Sequence, residues 1–343
     1  MECEEQIYRF RDSAGSRFRP FSESVNIRNQ SYSKLLQRYI CDFSAETAFG
    51  HVQEKIMEHH GVKIANGAAY RFTIDHAKKI SEKKLSSFLN SDLPAPKEPI
   101  IAQSDGSMIP ILEHEETPDD TTEDRRKAKR ILKWKEARLS LACTKDLENI
   151  YFAATTGSPE EAGKQLKICV QGVGGNDHSR IHGVGDGAPW IANQFEEQFG
   201  SNGNYLIDFM HLSGYLSAAS EAHPTEKKAQ WLEEQKAAMK ENQSEQVLAR
   251  LKPYIEALDK ENRPVADCYR YIKNRPKQFN YQEAIKEKLP IGSGQIESAH
   301  RYIVQKRLKV PGAWWKPENA QHMLNLRVLR ANKNWSNYWQ QVE

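Results

Sequence analysis

The chain has 343 residues, 38% of them hydrophobic, seven Trp and thirteen Tyr, a composition that supports one large packed core or two to three smaller ones. No apolar run reaches the roughly 20 residues of a membrane helix, and the first 30 residues hold no signal-type segment, so a soluble, cytoplasmic protein without a membrane partner is expected. The formal charge of +3 is too small to announce a nucleic-acid partner, and Cys3, Cys41, Cys143, Cys169 and Cys268 lie too far apart for a disulfide framework or a cysteine zinc site.

Residues 1–98 read as a separate helical region. Apolar residues at 35, 36, 39, 40 and 43 form one stripe, a second helix runs from Ala45 to His60 and stops at Gly61, and a third begins near Asn66. Helix, glycine turn, helix is the outline of a DNA-reading helix-turn-helix, and equally of a plain helical hairpin or a dimerisation element. Leu93 to Pro99 holds three prolines and reads as a linker.

Residues 99–212 alternate strand and helix signals. Ile100 to Leu112 is a strand carrying Asp105 beside a glycine, and Glu113 to Lys135 is a charged, exposed excursion. Arg138 to Thr144 and Asn149 to Ala154 are further strands, and Ser158-Pro-Glu-Glu161 is a capping box that opens a helix. A strand from Ile181 ends at Asp186, a helix from Pro189 follows with Trp190, Ile191, Gln194, Phe195 and Phe199 on one face, and Tyr205 to Phe209 delivers Asp208 and then His211. Carboxylates at the carboxyl edge of an α/β sheet stand where such folds place ligands.

Residues 213–289 carry helical periodicity broken by Pro224, Pro253, Pro264 and Pro276, and read as an all-helical insertion. In 290–343 a glycine-rich turn starts a helix with Glu297 one turn inside, paired at i, i+4 with Arg301. This last segment holds eight Lys/Arg against three acids, a surface suited to a polyanion.

Three carboxylates delivered by strand ends and a helix, in a chain without Cys or His clusters, suit a hard cation such as Mg²⁺ or Mn²⁺, and two such ions support phosphoryl transfer. His178 and His182, at i, i+4 before Asp186, raise a zinc alternative, but Ser179 stands where a zincin helix needs Glu.

Four stretches, SDGSMIPI, GVGDGAPWI, YLIDFMH and PIGSGQIESAHRYIVQKRLKVPGAWW, resemble the bacterial insertion-sequence transposases of the DDE type, in the Kra-type group related to Mutator-like elements. Further similarity covers SYSKLLQRYICDFSAETAFGHVQEKIMEHHG and NAQHMLNLRVLRANKNW, so nearly the whole chain is included. The resemblance implies a ribonuclease-H-like core with Asp105, Asp186 and Glu297 as the catalytic, metal-binding triad for two Mg²⁺ or Mn²⁺ ions, and Asp208 and His211 in support. It implies cleavage at the element's ends, 3′-hydroxyl transfer into target DNA, and double-stranded DNA as partner of a homodimer or higher oligomer. Arg301, Lys306 and Arg307 are the expected phosphate contacts, and Trp314 or Trp315 the expected base-stacking residue. The cysteine-rich amino-terminal segment of some relatives has no counterpart here. Competing readings are a structure-specific DNA nuclease and an inactive DNA-binding repressor.

Overall fold

A computed structural model describes residues 5–10, 17–24, 32–83, 85–89, 93–114, 130–223, 225–255 and 263–342. Two compact units emerge, one of residues 1–78 with 335–343, the other of 79–334. The boundary therefore precedes the proline-rich linker, and the last helix belongs with the amino-terminal residues instead of the sheet-containing unit.

The smaller unit opens with a two-stranded ribbon, β1 (Tyr8–Arg9) with β2 (Arg17–Phe18), and a short helix α1 (Pro20–Ser24). Helices α2 (Lys34–Glu46), α3 (Phe49–His60) and α4 (Ala68–Glu82) follow. Ser33 caps α2 by accepting from Leu36 N at 3.2 Å, and Gly61 closes α3 in the left-handed region at φ 66°, which glycine adopts without a Cβ penalty. Thr47 and Ala48 separate α2 from α3, so the second helix starts at Phe49 and not at Ala45. The core of this unit is completed from the far end of the sequence: Tyr338 and Trp339 are buried, and His76 hydrogen-bonds Tyr338 Oη at 2.7 Å and Gln37 Oε1 at 3.1 Å.

The larger unit is built on a five-stranded mixed sheet. Strands β3 (Ile100–His114), β4 (Arg130–Cys143) and β5 (Ile150–Thr155) form an antiparallel meander. Helix α5 (Pro159–Gly172), capped by Ser158, leads to β6 (Ile181–Gly185), then α6 (Pro189–Phe199) and β7 (Gly203–Ile207). β6 pairs in parallel with β3 and β7 with β6, giving the order β5-β4-β3-β6-β7. The expected exposed excursion is shorter than the sequence implies: residues 113–114 and 130–135 are strand, and 115–129 lie outside the described residues.

Ile100, Ala102, Ala142, Tyr151 and Ala153 pack one face of the sheet against Leu166, Cys169 and Val170 of α5 and Phe195 of α6. Gly183 makes room for Phe195, since a Cβ there would stand 2.4 Å from Phe195 Cε2. The 213–289 region is helical as its periodicity predicts: α7 (Phe209–Ala222), α8 (Lys228–Lys240), α9 (Ser244–Leu251), α10 (Arg263–Lys273) and α11 (Tyr281–Lys286), with Pro224 and residues 256–262 outside the described residues. Its core, including Leu212, Leu216, Met239, Val247, Cys268 and Ile272, is continuous with Leu206 and Ile207 of β7. Helix α12 (Gly294–Ala299), a π-helical turn His300–Gln305, α13 (Lys306–Leu308) and α14 (Pro317–Ala331) complete this unit, and α15 (Trp335–Val342) ends the chain. No described helix is long and apolar enough to cross a membrane. Cys41, Cys143, Cys169 and Cys268 are buried free thiols, and Cys3 lies outside the described residues.

Candidate carboxylate site

The register of three adjacent strands sets three aspartates level with one another. β3 and β6 pair Ile100 with Ile181 and Ala102 with Gly183, so carrying that register forward brings Asp105 opposite Asp186. β6 and β7 pair Gly185 with Ile207, so the next residues along are Asp186 and Asp208. Only the first two offer a carboxylate to a ligand. Asp208 is buried, its Oδ1 accepts from Met210 N and His211 N at 2.5 and 3.1 Å, and its Oδ2 accepts from Ser293 N and Oγ at 2.5 and 2.6 Å. It thus caps α7 and at the same time holds the turn from which α12 starts.

Helix α12 brings Glu297 to this edge, and a second clamp fixes it there. Gln103, buried in β3 on the same face as Asp105, accepts from Ile296 N at 3.0 Å and donates to Gly292 O at 3.4 Å. Glu297 Oε1 stands 4.0 Å from His211 Nε2, which makes His211 the partner of Glu297 among the described ion pairs in place of the expected Arg301. His300, one turn after Glu297, is buried with Nε2 3.0 Å from Asp105 O and 3.6 Å from Asp105 Oδ2.

Asp186 is held from the helical insertion. Its Oδ1 accepts from Ala188 N at 2.8 Å, while Tyr271 Oη donates to its backbone carbonyl at 2.8 Å and Arg275 Nε donates to Gly187 O at 3.0 Å. Arg275 also lies over the Tyr271 ring, 4.2 Å from its centroid.

Burial raises the Asp105 pKa above its ordinary value, His300 opposes that shift, and the neighbouring Asp186 adds to it. His300 is held below the ordinary histidine value, again chiefly by burial, with Asp105 opposing. A cation between the carboxylates offsets both the burial and the like-charge repulsion, and an all-oxygen acidic set is what a hard divalent ion takes. Among the described residues no three His, Cys, Asp or Glu side chains already converge as a metal cage. The zinc alternative fails on geometry, since His182 is buried in β6 with Nε2 2.8 Å from Pro290 O, while His178 is exposed.

The phosphate and stacking residues divide. Arg301, Lys306 and Trp314 are exposed. Arg307 is 1% and Trp315 4% exposed, and the guanidinium lies 4.8 Å from the indole centroid. These two correct the expectation of DNA contacts: they pack beneath the surface, where burial pulls the Arg307 pKa down to about 10 with Arg327 contributing.

Gln103, Ser293, Tyr271, Arg275 and His300 are parts of the site that the expected triad omits. A glutamine two places before Asp105, following the apolar run Ile100–Ala102, is a readable signal, and Tyr271 and Arg275 carry none beyond ordinary helical spacing.

No curated protein matches the chain. Residues 109–342, which take in Asp186, Asp208 and Glu297 and begin just after Asp105, match the Uncharacterised protein family (UPF0236). With most of its length inside that match, the chain belongs to the UPF0236 family.

Proposed function

We propose that the chain is a DDE transposase of an insertion sequence, which cuts DNA at the element's ends and joins the exposed 3′-hydroxyl to target DNA. One observation carries the reading. The strand register aligns Asp105 with Asp186, and a helix tied to the same edge by Gln103 and Asp208 bears Glu297. The antiparallel meander continued by two parallel strands, with helices packed on the sheet, supports taking the core as ribonuclease-H-like.

In this reading Asp105, Asp186 and Glu297 would hold two Mg²⁺ or Mn²⁺ ions, with His211 beside Glu297. Bound there, the ions supply Lewis-acid activation of the attacking oxygen and charge stabilisation on the leaving oxygen. The remaining work falls to the protein's own residues. Asp208 and Gln103 keep the carboxylates in register, Tyr271 and Arg275 fix the backbone around Asp186, and exposed Arg301 and Lys306 hold phosphates by charge. Duplex DNA is the partner, and two paired ends call for at least two protomers. Helices α2 to α4 either read the element's ends or join protomers, and a chain lacking residues 1–98 separates the two by binding and by sedimentation.

The test is cleavage of a labelled duplex carrying the DNA that flanks the gene, with Mg²⁺ or Mn²⁺, beside a scrambled duplex and the Asp186→Ala protein. Metal-dependent cuts at one flank position, lost with the scrambled duplex and with the variant, are expected. Equal cutting of both duplexes makes the protein a nuclease of another kind. Specific binding without cutting, by a folded protein, makes it a repressor.

A further inference from the structure

Beyond the sheet proper, β3 and β4 run on as a two-stranded ribbon. β6 pairs with β3 only as far as Ala102, and β5 with β4 only from Arg138 onward, while β3 and β4 stay paired to His114 and Arg130. Opposed residues of an antiparallel pair share a face, so the register sorts the ribbon's side chains into two sets. One face carries Ile109, Ile111 and Ala137, all buried in the unit, together with Lys133 and Lys135. Lys133 is paired there with Glu113 at 2.5 Å. The other face carries Met108, Pro110 and Leu112 of β3 opposite Glu136, Trp134 and Leu132 of β4, with Arg130 at its end.

That second face is apolar and open. Trp134 is 59%, Met108 44% and Leu132 43% exposed, while Leu112 is half-buried and Pro110 buried. A two-stranded ribbon is marginal by itself, and a contiguous apolar face left bare on one marks an interaction site. Its charges are few and of both signs. Arg138 pairs with Glu136, donates to Gly157 O at 2.6 Å and lies over the Trp190 ring, so the acid is held in place. Glu136 stays the more accessible of the two, its side chain 31% exposed against 15% for Arg138, and Arg130 at the far end is exposed. One exposed acid and one exposed base on an apolar ground suit a protein partner and give a polyanion or an anionic membrane little to hold.

We propose that this face docks on its own counterpart in a second copy of the chain, ribbon against ribbon about a twofold axis. The spacing along β4 carries the proposal. Leu132 and Trp134 stand one residue either side of position 133, and Arg130 and Glu136 three residues either side. A twofold axis crossing the strands at that position lays β4 antiparallel over the partner's β4. It sets Trp134 on Leu132 of the partner subunit and Arg130 on Glu136 of the partner subunit, each contact occurring twice. Pairing through the outer edge of β4 is the poorer route, because the same symmetry brings Lys133 directly against its own copy. From Arg130 to Glu136 at about 3.4 Å per residue, on two strands about 4.8 Å apart, the face measures roughly 20 by 10 Å. A contact of that size makes a weak, reversible dimer in which the indole is the anchor. Asp105 lies on the opposite face of β3, with Ile109 and Ile111, so the contact leaves the carboxylates uncovered. The proposal deepens the transposase reading by naming a surface through which protomers pair, and rests on that reading only for its purpose.

The experiment is sedimentation velocity of the full-length protein without DNA, over about 1 to 100 µM, the range of a weak specific contact. The wild type is expected to move from monomer towards dimer across that range. Trp134→Ala should weaken the association about tenfold or more, and Trp134→Phe should stay near wild type. Arg130→Glu and Glu136→Lys are each expected to remain monomeric, because each sets like charges together. An equimolar mixture of these two variants should associate again, since acid then meets base at both contacts. Circular dichroism checks the fold of every variant, and should Glu136→Lys fail to fold, Trp134→Ala and Arg130→Glu decide alone. A wild type that stays monomeric throughout overturns the proposal, as does undiminished association of folded Trp134→Ala. Association that survives the charge variants, or a mixture no better than its components, overturns the twofold register and the ribbon contact with it. Cleavage of the flank DNA is read separately: its absence beside a Trp134-dependent dimer removes the transposase reading and leaves the contact standing.

Discussion

The carboxylate of Asp208 accepts four hydrogen bonds from three residues, two of them on the first turn of α7 and the third at the start of α12. All its acceptor capacity is spent inside the protein, so its contribution to the site is the placement of Glu297. Replacing it by Asn turns one acceptor into a donor facing the donors of Ser293 or Met210, and a buried mismatch of that kind costs about 3 kcal/mol. Asp208→Asn is thus expected to lower stability in urea by that order, while Ser293→Ala, which keeps the backbone bond, costs about 1 kcal/mol. Equal stability of Asp208→Asn and wild type removes the clamp from the account. His182 gives the pH dependence. Its folded pKa is held below the ordinary value by burial, so the unfolded chain binds the proton first as pH falls. Stability from this residue is complete above about pH 7 and declines as pH drops below the unfolded value near 6.5. His182→Gln keeps a donor for Pro290 O and does not titrate. The wild-type and variant stability profiles are expected to run parallel above neutrality and to diverge below it, and profiles parallel down to pH 5 would falsify the assignment.

At the scale of elements, the turn between β6 and α6 has the least freedom. Gly187 sits at φ 84°, and a Cβ there would come 2.8 Å from Tyr271 Oη and 3.2 Å from Arg275 Nε. Gly187→Ala meets backbone strain and a contact that only the α10 side can relieve, at about 2 kcal/mol. Because the same tyrosine holds Asp186 O, the proposed transposase function predicts that the variant loses cleavage activity more steeply than stability, as read from initial rates against chemical denaturation. This turn was legible in the sequence: Asp-Gly before a proline-started helix announces a carboxylate at a strand end. The register was not. Nothing in the separate strand signals says that β6 lies beside β3 instead of β5, and it is that pairing which sets Asp105 against Asp186. Arg307 shows the opposite error. Its charge suggests a phosphate contact, yet it is buried together with Ile296, His300, Ile303 and Val304. Position decides: the guanidinium lies against Trp315.

At the scale of the whole molecule, the carboxyl-terminal helix forms one compact unit with residues 1–78, a pairing that no local pattern encodes because the contacts join residues about 260 positions apart. The basic charge of 290–343 suggests a single closing region, whereas the chain leaves the larger unit at Asn334 and spends its last helix elsewhere. Trp339 is 2% exposed, its ring centroid is 4.4 Å from that of His76, and Tyr338 bonds the same histidine. Truncating a buried tryptophan costs about 3–5 kcal/mol. Trp339→Ala should therefore speed amide exchange in α2, α4 and α15 while leaving the protected core of β3, β6 and β7 unchanged. Uniform loss of protection across both sets makes the chain one cooperative body. Selective loss gives the practical result that the helices proposed to read DNA or pair protomers can be weakened without disturbing the carboxylates, so the two halves of the proposed function become separable in one protein.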